Sequence, residues 1–464
     1  MKGVNTWSYK PYHPALHANH QIYISRLAPG QGSISLNWFP ENGAQGPYTV
    51  CCKKRSCAGD MPITRETMYT FAEIKGLEDE CDYEIHVSCA EGESCTRLFR
   101  TGFVPGTVVN YLHPEDDVYR FSGQSLCSPS LLKLDDGALL ASMDVYKHMA
   151  PQNLTLVFKS TDNGQTWEHL TELFPCFWGK LFLHKNALYM LAMSTEYGDI
   201  LIGRSDDGGK SFCMPTVIAR GSCSSASPGY QRAPMPITAY KGRLWTAVDY
   251  GIWGLAEEAG FSECMLSIDE DADLMKAENW TITTPLPYSP GWHGAVDGRT
   301  LGCIEGSAVA APGGELVVVL RYETKGCTPS YGKAVVLKAD SDDPDKTLEF
   351  LRIIDFEGNL SKFDIIYDEV SRKYISLITG TYEHQNRTIL SFAVSDDLFN
   401  WRTACPLLDY SFFNPEKVGF QYASFIIDGD DLLYLSRTSF NNAKDFHDAN
   451  YSTFHRIENF RKYL

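Results

Sequence analysis

Charged residues close several short apolar strands of this chain. They are Asp144, Glu196, Asp249, Arg321 and Arg437. Burying an unpaired charge is expensive, so charges that recur at strand ends indicate one of two arrangements. They form a ring of structural ion pairs, or a site that grips an anionic ligand between arginines and carboxylates.

A second group of polar residues lies near the C-terminus, in the segment 446–451. His447 there is a candidate for proton transfer or ligand binding, because histidine titrates near neutral pH. The alternative is a turn that the side chains of Asp448 and Asn450 hold together. Both interpretations stay open at the level of sequence.

Two long segments rich in Gly, Ser and Pro, 222–232 and 288–293, carry aromatic residues. Their composition fits loops at the mouth of a site, where Tyr230 or Trp292 would stack on a ligand. A disordered loop would have the same composition. Arg232, at the end of the first segment, is a further candidate binding residue.

Two octets indicate which elements position these groups, Ser160–Trp167 and Ser205–Phe212. Each has Ser, then Asp two residues later, Gly two after that, and finally a hydroxyl residue and an aromatic. Asp-x-Gly reverses the chain, since Asp bonds its own backbone and Gly accepts positive φ. Two copies of one octet predict a repeating all-β unit, with the aromatic packed beneath each turn.

A longer block recurs over residues 105–464, with two apolar strands around an Asp/Gly turn and a third strand that leads into a Ser/Asp turn. Its copies begin near Ser128, Trp178, Arg232, Glu305, Gly358 and Gly419. Six such blocks predict a six-bladed β-propeller, whose inner strands would bring distant residues to one channel. Trp178, at a strand start, is therefore a candidate substrate-binding residue.

Residues 19–104 alternate apolar and polar positions between turns and predict a small β-sandwich after an extension at 1–18. Ile34, Leu36 and Trp38 share one face, while Leu77 and Tyr83 have the spacing of a tyrosine corner. Over this length the segment resembles a fibronectin type III module. The resemblance implies a domain that presents a ligand, or a structural brace.

Composition excludes some partners. A net charge of -17 argues against nucleic acid or an anionic membrane as a partner. No signal peptide or membrane-spanning stretch is evident, so a cytoplasmic location with reduced thiols is expected. The cysteines lack zinc spacing, and no metal or cofactor is predicted. The oligomeric state stays open.

The octets resemble the Asp-box of the sialidase-like β-propellers, and two further stretches carry the resemblance. Glu305 to Arg321 is similar to the stretch in which a Glu polarises a tyrosine hydroxyl and an Arg joins a three-arginine clamp on a carboxylate. The stretch 420–437 is similar to the one with the nucleophilic tyrosine, which would be Tyr422. Its neighbour Gln421 and its end Arg437 are candidate binding residues.

Two departures from the family pattern stand out. Cys127-Ser128 occupies the place of an expected arginine, and Arg437 stands where a glutamate is expected. The family's general acid also lacks a match, which leaves Asp144 or His148 as substitutes.

The resemblance implies a sialidase-like glycosidase that removes an acidic sugar, of sialic or uronic acid type, from the end of an oligosaccharide. Two alternatives stay open. One is a propeller-type uronate lyase, in which His447 or Tyr422 abstracts a proton. The other is a non-catalytic carbohydrate-binding propeller, since fold alone does not settle function.

Overall fold

The computed structural model describes Trp7 and residues 21–41, 43–55, 61–253, 260–380 and 386–464. Antiparallel strands dominate these residues, and their only helices are two short 3-10 turns, Ala277–Asn279 and Phe460–Tyr463. Nothing helical in this part of the chain has the length and apolarity to cross a bilayer. The extension at 1–18 lies outside the described residues apart from Trp7.

The first eight strands form two facing sheets. They are β1 (Ile22–Gly30), β2 (Ser33–Pro40), β3 (Tyr48–Lys54), β4 (Ile63–Thr67), β5 (Phe71–Lys75), β6 (Asp82–Cys89), β7 (Gly92–Glu93) and β8 (Arg97–Arg100). One sheet has the order β1-β2-β5, and the other has the order β4-β3-β6-β7 with β8 also paired to β6. Ile34, Leu36 and Trp38 alternate into the core between the sheets, as their spacing predicts. The Tyr83 hydroxyl accepts the Glu78 N–H at 2.9 Å, which is the bond expected of a tyrosine corner.

Buried arginines join this sandwich to the rest of the chain. Arg97 donates to Asp116 at 2.6 Å, and both side chains are almost fully buried. Arg26 donates to the backbone oxygen of Val109 at 2.7 Å. Because these bonds satisfy charges that have left water, they fix the sandwich against the segment that follows it.

Residues beyond the sandwich form six antiparallel sheets. Sheet 1 contains β10 (Ser125–Lys133), β11 (Leu139–Tyr146), β12 (Thr155–Ser160) and β13 (Glu168–Leu173), and sheet 2 contains β14 (Phe177–His184), β15 (Ala187–Met193), β16 (Ile200–Ser205) and β17 (Thr216–Ala219). Sheet 3 contains β18 (Gly229–Gln231), β19 (Thr238–Tyr240), β20 (Arg243–Gly251), β21 (Phe261–Asp269), β22 (Trp280–Ile282) and β23 (Leu286–Pro287), and sheet 4 contains β24 (Gly302–Ala310), β25 (Leu316–Glu323), β26 (Lys333–Ala339) and β27 (Glu349–Asp355). Sheet 5 contains β28 (Ile365–Asp368), β29 (Lys373–Thr379), β30 (Ile389–Ser395) and β31 (Trp401–Asp409), and sheet 6 contains β32 (Gly419–Asp428), β33 (Asp431–Ser439), β34 (Tyr451–Ile457) and, as its outer strand, β9 (Thr107–Tyr111).

Side-chain hydrogen bonds tie the first strand of one sheet to the first strand of the next. The Ser130 hydroxyl accepts the Leu181 N–H at 3.1 Å, which joins sheet 1 to sheet 2. A bond of the same kind joins sheet 4 to sheet 5. The Ser424 hydroxyl accepts the Leu131 N–H at 3.2 Å, so sheet 6 returns to sheet 1. The sheets therefore follow one another around a common axis.

The two octets form the turns that their sequences predict. The Asp162 carboxylate accepts the Thr166 N–H at 2.9 Å, and Asp207 accepts the Ser211 N–H at the same distance. Trp167 lies buried beneath the first turn and donates to the Gly164 carbonyl. These octets stabilise the outer ends of their sheets and supply no group to the site described below.

Candidate active site

Backbone bulges interrupt the first strands of four sheets, β10, β14, β24 and β32. The residues at the bulges have left-handed φ angles of 52°, 52°, 58° and 56°, and they are Ser128, Trp178, Glu305 and Tyr422. A bulge redirects a side chain out of the regular alternation of its strand, and positive φ is uncommon at a non-glycine residue. The residue that follows the bulge is small at three of the four positions, Gly179, Gly306 and Ala423, and is Pro129 at the fourth. A Cβ added to Gly306, for example, would lie 2.4 Å from Val318.

Tyr422 and Glu305 meet at the centre of the site. The Tyr422 hydroxyl donates to Oε1 of Glu305 at 2.7 Å, and both side chains are buried. The contact that the sequence resemblance implies is therefore present. Burial and the negative charge of Glu305 raise the pKa of Tyr422 to about 12. The phenol is thus neutral at pH 7, with a proton acceptor already in place.

Arg321 binds both members of this pair. Its Nη1 donates to Glu305 at 2.9 Å and to the Tyr422 oxygen at 3.2 Å. Its Nη2 donates to Glu323 at 2.7 Å, and Tyr331 donates to the other oxygen of Glu323. Arg321 is therefore held in one orientation by two carboxylates.

Arg437 reaches the same tyrosine from the last sheet. Its guanidinium lies 5.1 Å from the centre of the Tyr422 ring and 5.5 Å from that of Tyr146. Nη2 of Arg437 donates to the backbone oxygen of His447 at 2.6 Å. Burial and the nearby arginine lower the pKa of His447 to about 3, so its imidazole is neutral at pH 7.

A third arginine, Arg387, joins the cluster, and sequence reasoning missed it. Its guanidinium lies 6.0 Å from the Tyr422 ring centre and donates to the side-chain oxygen of Gln421. Burial and the positive charge of Arg321 lower the pKa of Arg387 to about 10. Arg387 precedes the apolar strand β30, so an inspection of strand starts as well as strand ends would have found it.

Gln421 organises this part of the site. Its amide nitrogen donates to the backbone oxygens of Phe446 at 2.7 Å and His447 at 3.2 Å. Its carbonyl oxygen accepts from Arg387. Gln421 therefore links the loop of His447 to the third arginine.

The charges of the arginine cluster are unequally compensated. Arg321 pairs with Glu305 and Glu323, whereas Arg387 and Arg437 form no ion pair with any carboxylate in the described ranges. Both guanidiniums are almost fully buried. Two such cations beside one ring make this space favourable for an anion.

Three ionisable groups, Asp144, His148 and Glu196, differ in position. Asp144 and His148 are the general-acid candidates predicted from the sequence, whereas Glu196 is predicted there as a binding residue. Asp144 is fully buried, accepts the Trp178 N–H at 2.7 Å and also accepts the Thr155 hydroxyl. Burial raises its pKa to about 7. Glu196 is half-buried, accepts from Gln152 at 3.1 Å, and has a pKa raised by burial. His148 is exposed and close enough to Glu196 for their charges to interact.

Asp249 and Arg232 lie deeper in the structure. Asp249 accepts the backbone N–H of Glu305 at 2.9 Å, so it touches the site through the main chain. Arg232 donates to the backbone oxygens of Leu191 and Met235 at 3.3 and 3.2 Å. It also donates to the Thr246 hydroxyl at 3.1 Å, and none of these bonds joins it to Arg321, Arg387 or Arg437 or to their partners.

The aromatic residues predicted to bind a ligand pack against other aromatic rings in the described structure. Trp292 stacks on Phe350, with ring centres 4.7 Å apart, against the outer strand β27 of sheet 4. Tyr230 packs on Tyr250. Trp178 is half-buried at its bulge, and its ring packs against its neighbour Phe177.

One group of potential metal ligands lies near the site. Single ligand atoms of Asp445, His447 and Asp448 are all within 4.8 Å of one another. Asp448 is already paired with Lys444 and His447, and Asp445 accepts backbone N–H groups. These bonds account for the donor atoms without a metal.

No protein-family model and no curated protein sequence matches the chain. Among solved structures, an α-L-arabinanase of Penicillium chrysogenum complexed with arabinobiose is similar, with a TM-score of 0.52 and 14% identity over 76% of this chain and 98% of that one. The fold is a β-propeller. A Hadza microbial sialidase has a TM-score of 0.49 and 13% identity over 95% of this chain and 98% of its own. A Trypanosoma rangeli sialidase in complex with 2,3-difluorosialic acid has a TM-score of 0.44 and 12% identity over 81% and 57%.

Proposed function

We propose that this β-propeller is a glycoside hydrolase that removes an acidic sugar from the end of a small oligosaccharide. One observation carries the proposal: a buried Tyr422–Glu305 pair is surrounded by Arg321, Arg387 and Arg437. A tyrosine hydrogen-bonded to a carboxylate is an activated nucleophile. Arg387 and Arg437 form no ion pair with a carboxylate among the described residues, and this suits the carboxylate of a sugar acid.

In the first step the Tyr422 oxygen attacks the anomeric carbon while its proton passes to Glu305. The bond from that carbon to the leaving oxygen breaks, and a general acid protonates the leaving oxygen. A neutral phenol is a suitable nucleophile here, because an attacking carboxylate would be repelled by the carboxylate of the sugar.

We assign the general acid to Glu196. Burial raises the pKa of Glu196, and its side chain is partly exposed to solvent. Its negative charge also acts on Tyr146, whose ring lies beside Arg437. Asp144 is fully buried and already accepts two hydrogen bonds. In the second step Glu196 takes a proton from water and the water oxygen bonds to the anomeric carbon. The bond from that carbon to the Tyr422 oxygen breaks, and Glu305 returns its proton to this oxygen.

The architecture that supports this proposal is a six-bladed propeller, in which sheets 1 to 6 are the blades. We infer that the preceding sandwich is a fibronectin type III-like module that braces the sixth blade through β9. The paired sheets and the Tyr83 hydrogen bond support this inference.

The direct test incubates the protein with oligosaccharides that end in sialic or uronic acids, with arabinobiose as the neutral control. Release of a saturated acidic sugar by the native protein, and its loss in Tyr422→Phe, is the expected result. New ultraviolet absorbance from an unsaturated sugar would instead identify a lyase. Binding without any product would identify a carbohydrate-binding propeller.

A further inference from the structure

Two carboxyl groups lie directly beneath Glu305 in sheet 3. Asp249 in β20 and Glu263 in β21 are directly opposite in the antiparallel register, so their side chains share one face. Their exposed fractions are 1% and 2%. Two ionised carboxylates in such a place would repel each other strongly.

Among the described residues, one of the four carboxylate oxygens of this pair has a hydrogen-bond donor and three have none. One oxygen of Asp249 accepts the Glu305 N–H at 2.9 Å. The other oxygen of Asp249 and both oxygens of Glu263 are buried and have no donor in the described part of the chain. A proton held between the two groups would join one oxygen of each and so satisfy two of these three oxygens.

Sheet 1 contains the same arrangement with different chemistry. Asp144 accepts the N–H of Trp178, the bulge residue of the next sheet, just as Asp249 accepts the N–H of Glu305. The residue opposite Asp144 is Thr155, whose hydroxyl donates to it. Glu263 occupies the position equivalent to Thr155, and a glutamate can donate only when it is protonated.

Charged groups of both signs lie near the Asp249–Glu263 pair and shift the pKa of Asp249 in opposite directions. Arg232 is the nearby cation, and Glu305 adds a further negative charge. The thiols of Cys264 and Cys303 are also close enough to the pair for an electrostatic interaction. Burial raises the pKa of Glu263 well above its usual value.

We propose that Asp249 and Glu263 share one proton and act as positioning residues for Glu305. The protonated Glu263 donates to Asp249, and Asp249 then holds the backbone of Glu305 in its left-handed bulge, with φ of 58°. That bulge aims the Glu305 carboxylate at Tyr422 and Arg321. Loss of the shared proton at alkaline pH releases the bulge and disconnects the nucleophile from its base. The catalytic consequence rests on the proposed function, whereas the shared proton does not.

The first test needs no substrate. In the infrared difference spectrum between native protein and Glu263→Gln at neutral pH, we expect the carbonyl band of a protonated carboxyl to appear on the native side. The band is expected to persist well above the normal titration range of glutamate. Absence of this difference band would mean that Glu263 is ionised, and it would overturn the proposal.

The second test separates Asp249→Asn from Asp249→Ala. In Asp249→Asn the side-chain oxygen can still accept the Glu305 N–H. Glu263 is then ionised, so the pair still carries one negative charge. Ala removes the acceptor. We expect Asn to retain kcat within about threefold and Ala to lose about tenfold or more in kcat, with sugar affinity unchanged, because small displacements of a reacting group are costly.

Asp116→Asn is the matched control, since it disturbs a buried carboxylate whose partner is Arg97 of the sandwich. A kcat for Asp249→Ala equal to that of the native protein would overturn the positioning role. If the native protein cleaves no acidic sugar, the proposed function fails. A crystal structure of Asp249→Ala then decides the positioning, with loss of the Glu305–Tyr422 contact expected and its retention contradicting the proposal. Should Asp249→Ala not fold, the spectrum of Glu263→Gln still decides whether the proton is shared.

Discussion

The Tyr422 hydroxyl lies 2.7 Å from Oε1 of Glu305, although 117 residues separate them in the chain. Both are bulge residues with positive φ on the first strands of their sheets. Arg321 touches both side chains, so the three groups form one hydrogen-bonded unit. The effect expected of a substitution in this unit follows from the hydrogen bond that the substitution removes.

Tyr422→Phe removes the nucleophilic oxygen but keeps the ring beside Arg387 and Arg437. Its kcat on an acidic oligosaccharide is expected to fall by about 10³-fold or more, as when other nucleophiles are removed. Calorimetric affinity for the free acidic sugar should change little. Tyr434→Phe, a buried tyrosine stacked on His455, is the control. Equal losses in the two variants would argue against a special role for Tyr422.

Arg387→Lys and Arg437→Lys each keep the charge but lose the planar fork that binds two carboxylate oxygens. Affinity for an acidic sugar is expected to fall by about tenfold or more in each variant. Titration calorimetry against the acidic sugar and a neutral analogue measures the effect. Undiminished affinity of both variants would leave the arginines with a purely structural role.

Glu196→Gln removes the assigned general acid. The variant should cleave natural oligosaccharides slowly but retain activity on an aryl glycoside, whose leaving group needs no proton. Asp144→Asn and His148→Ala are measured beside it. If only one of these two shows the selective loss, the general acid is that residue and not Glu196.

Asp144→Asn tests the raised pKa of a fully buried carboxyl. The folded-state value of about 7 exceeds the unfolded one, so the folded state holds the proton more tightly. The stability from this group is complete below about pH 4 and is lost as pH rises through 7, at about 1.4 kcal/mol per pKa unit. The Tm of native protein should therefore fall relative to the variant between pH 4 and 8. Parallel Tm curves would contradict the assignment.

Trp167→Ala removes the aromatic beneath the first octet. Because Trp167 is buried and packs against Phe454, the variant should lose about 3 to 5 kcal/mol of unfolding free energy. Denaturant unfolding measures this loss, and activity per folded molecule should stay unchanged. A selective loss of activity at unchanged stability would place the octet in function instead.

Features that depend on contacts between residues close in sequence could be predicted from the sequence. The octet turns hold themselves by bonds between residues four apart, such as Asp162 to Thr166. The inward alternation of Ile34, Leu36 and Trp38 follows from the two-residue period of a strand. The Tyr422–Glu305 pair was reached through family resemblance, and their strand positions alone would not have paired them.

The role of each charged residue was not readable in the same way. Asp144, Asp249 and Arg232 close or open strands just as Arg321 does, yet they bind backbone groups of neighbouring sheets. Trp292 lies in a segment whose composition is typical of a mouth loop, but its ring stacks on Phe350 in the outer strand of sheet 4.

The sequence by itself determined the repeated all-β units, their turns and the residues at the strand starts and ends, because these depend on neighbours along the chain. Only the tertiary structure decided which charges meet. Among the described residues, Arg387 and Arg437 come together without an ion pair to a carboxylate, and Glu263 meets Asp249. The arrangement of the sheets sets the distances between these groups. Those distances, combined with burial, decide whether a charge is paired, shared through a proton or left facing a ligand.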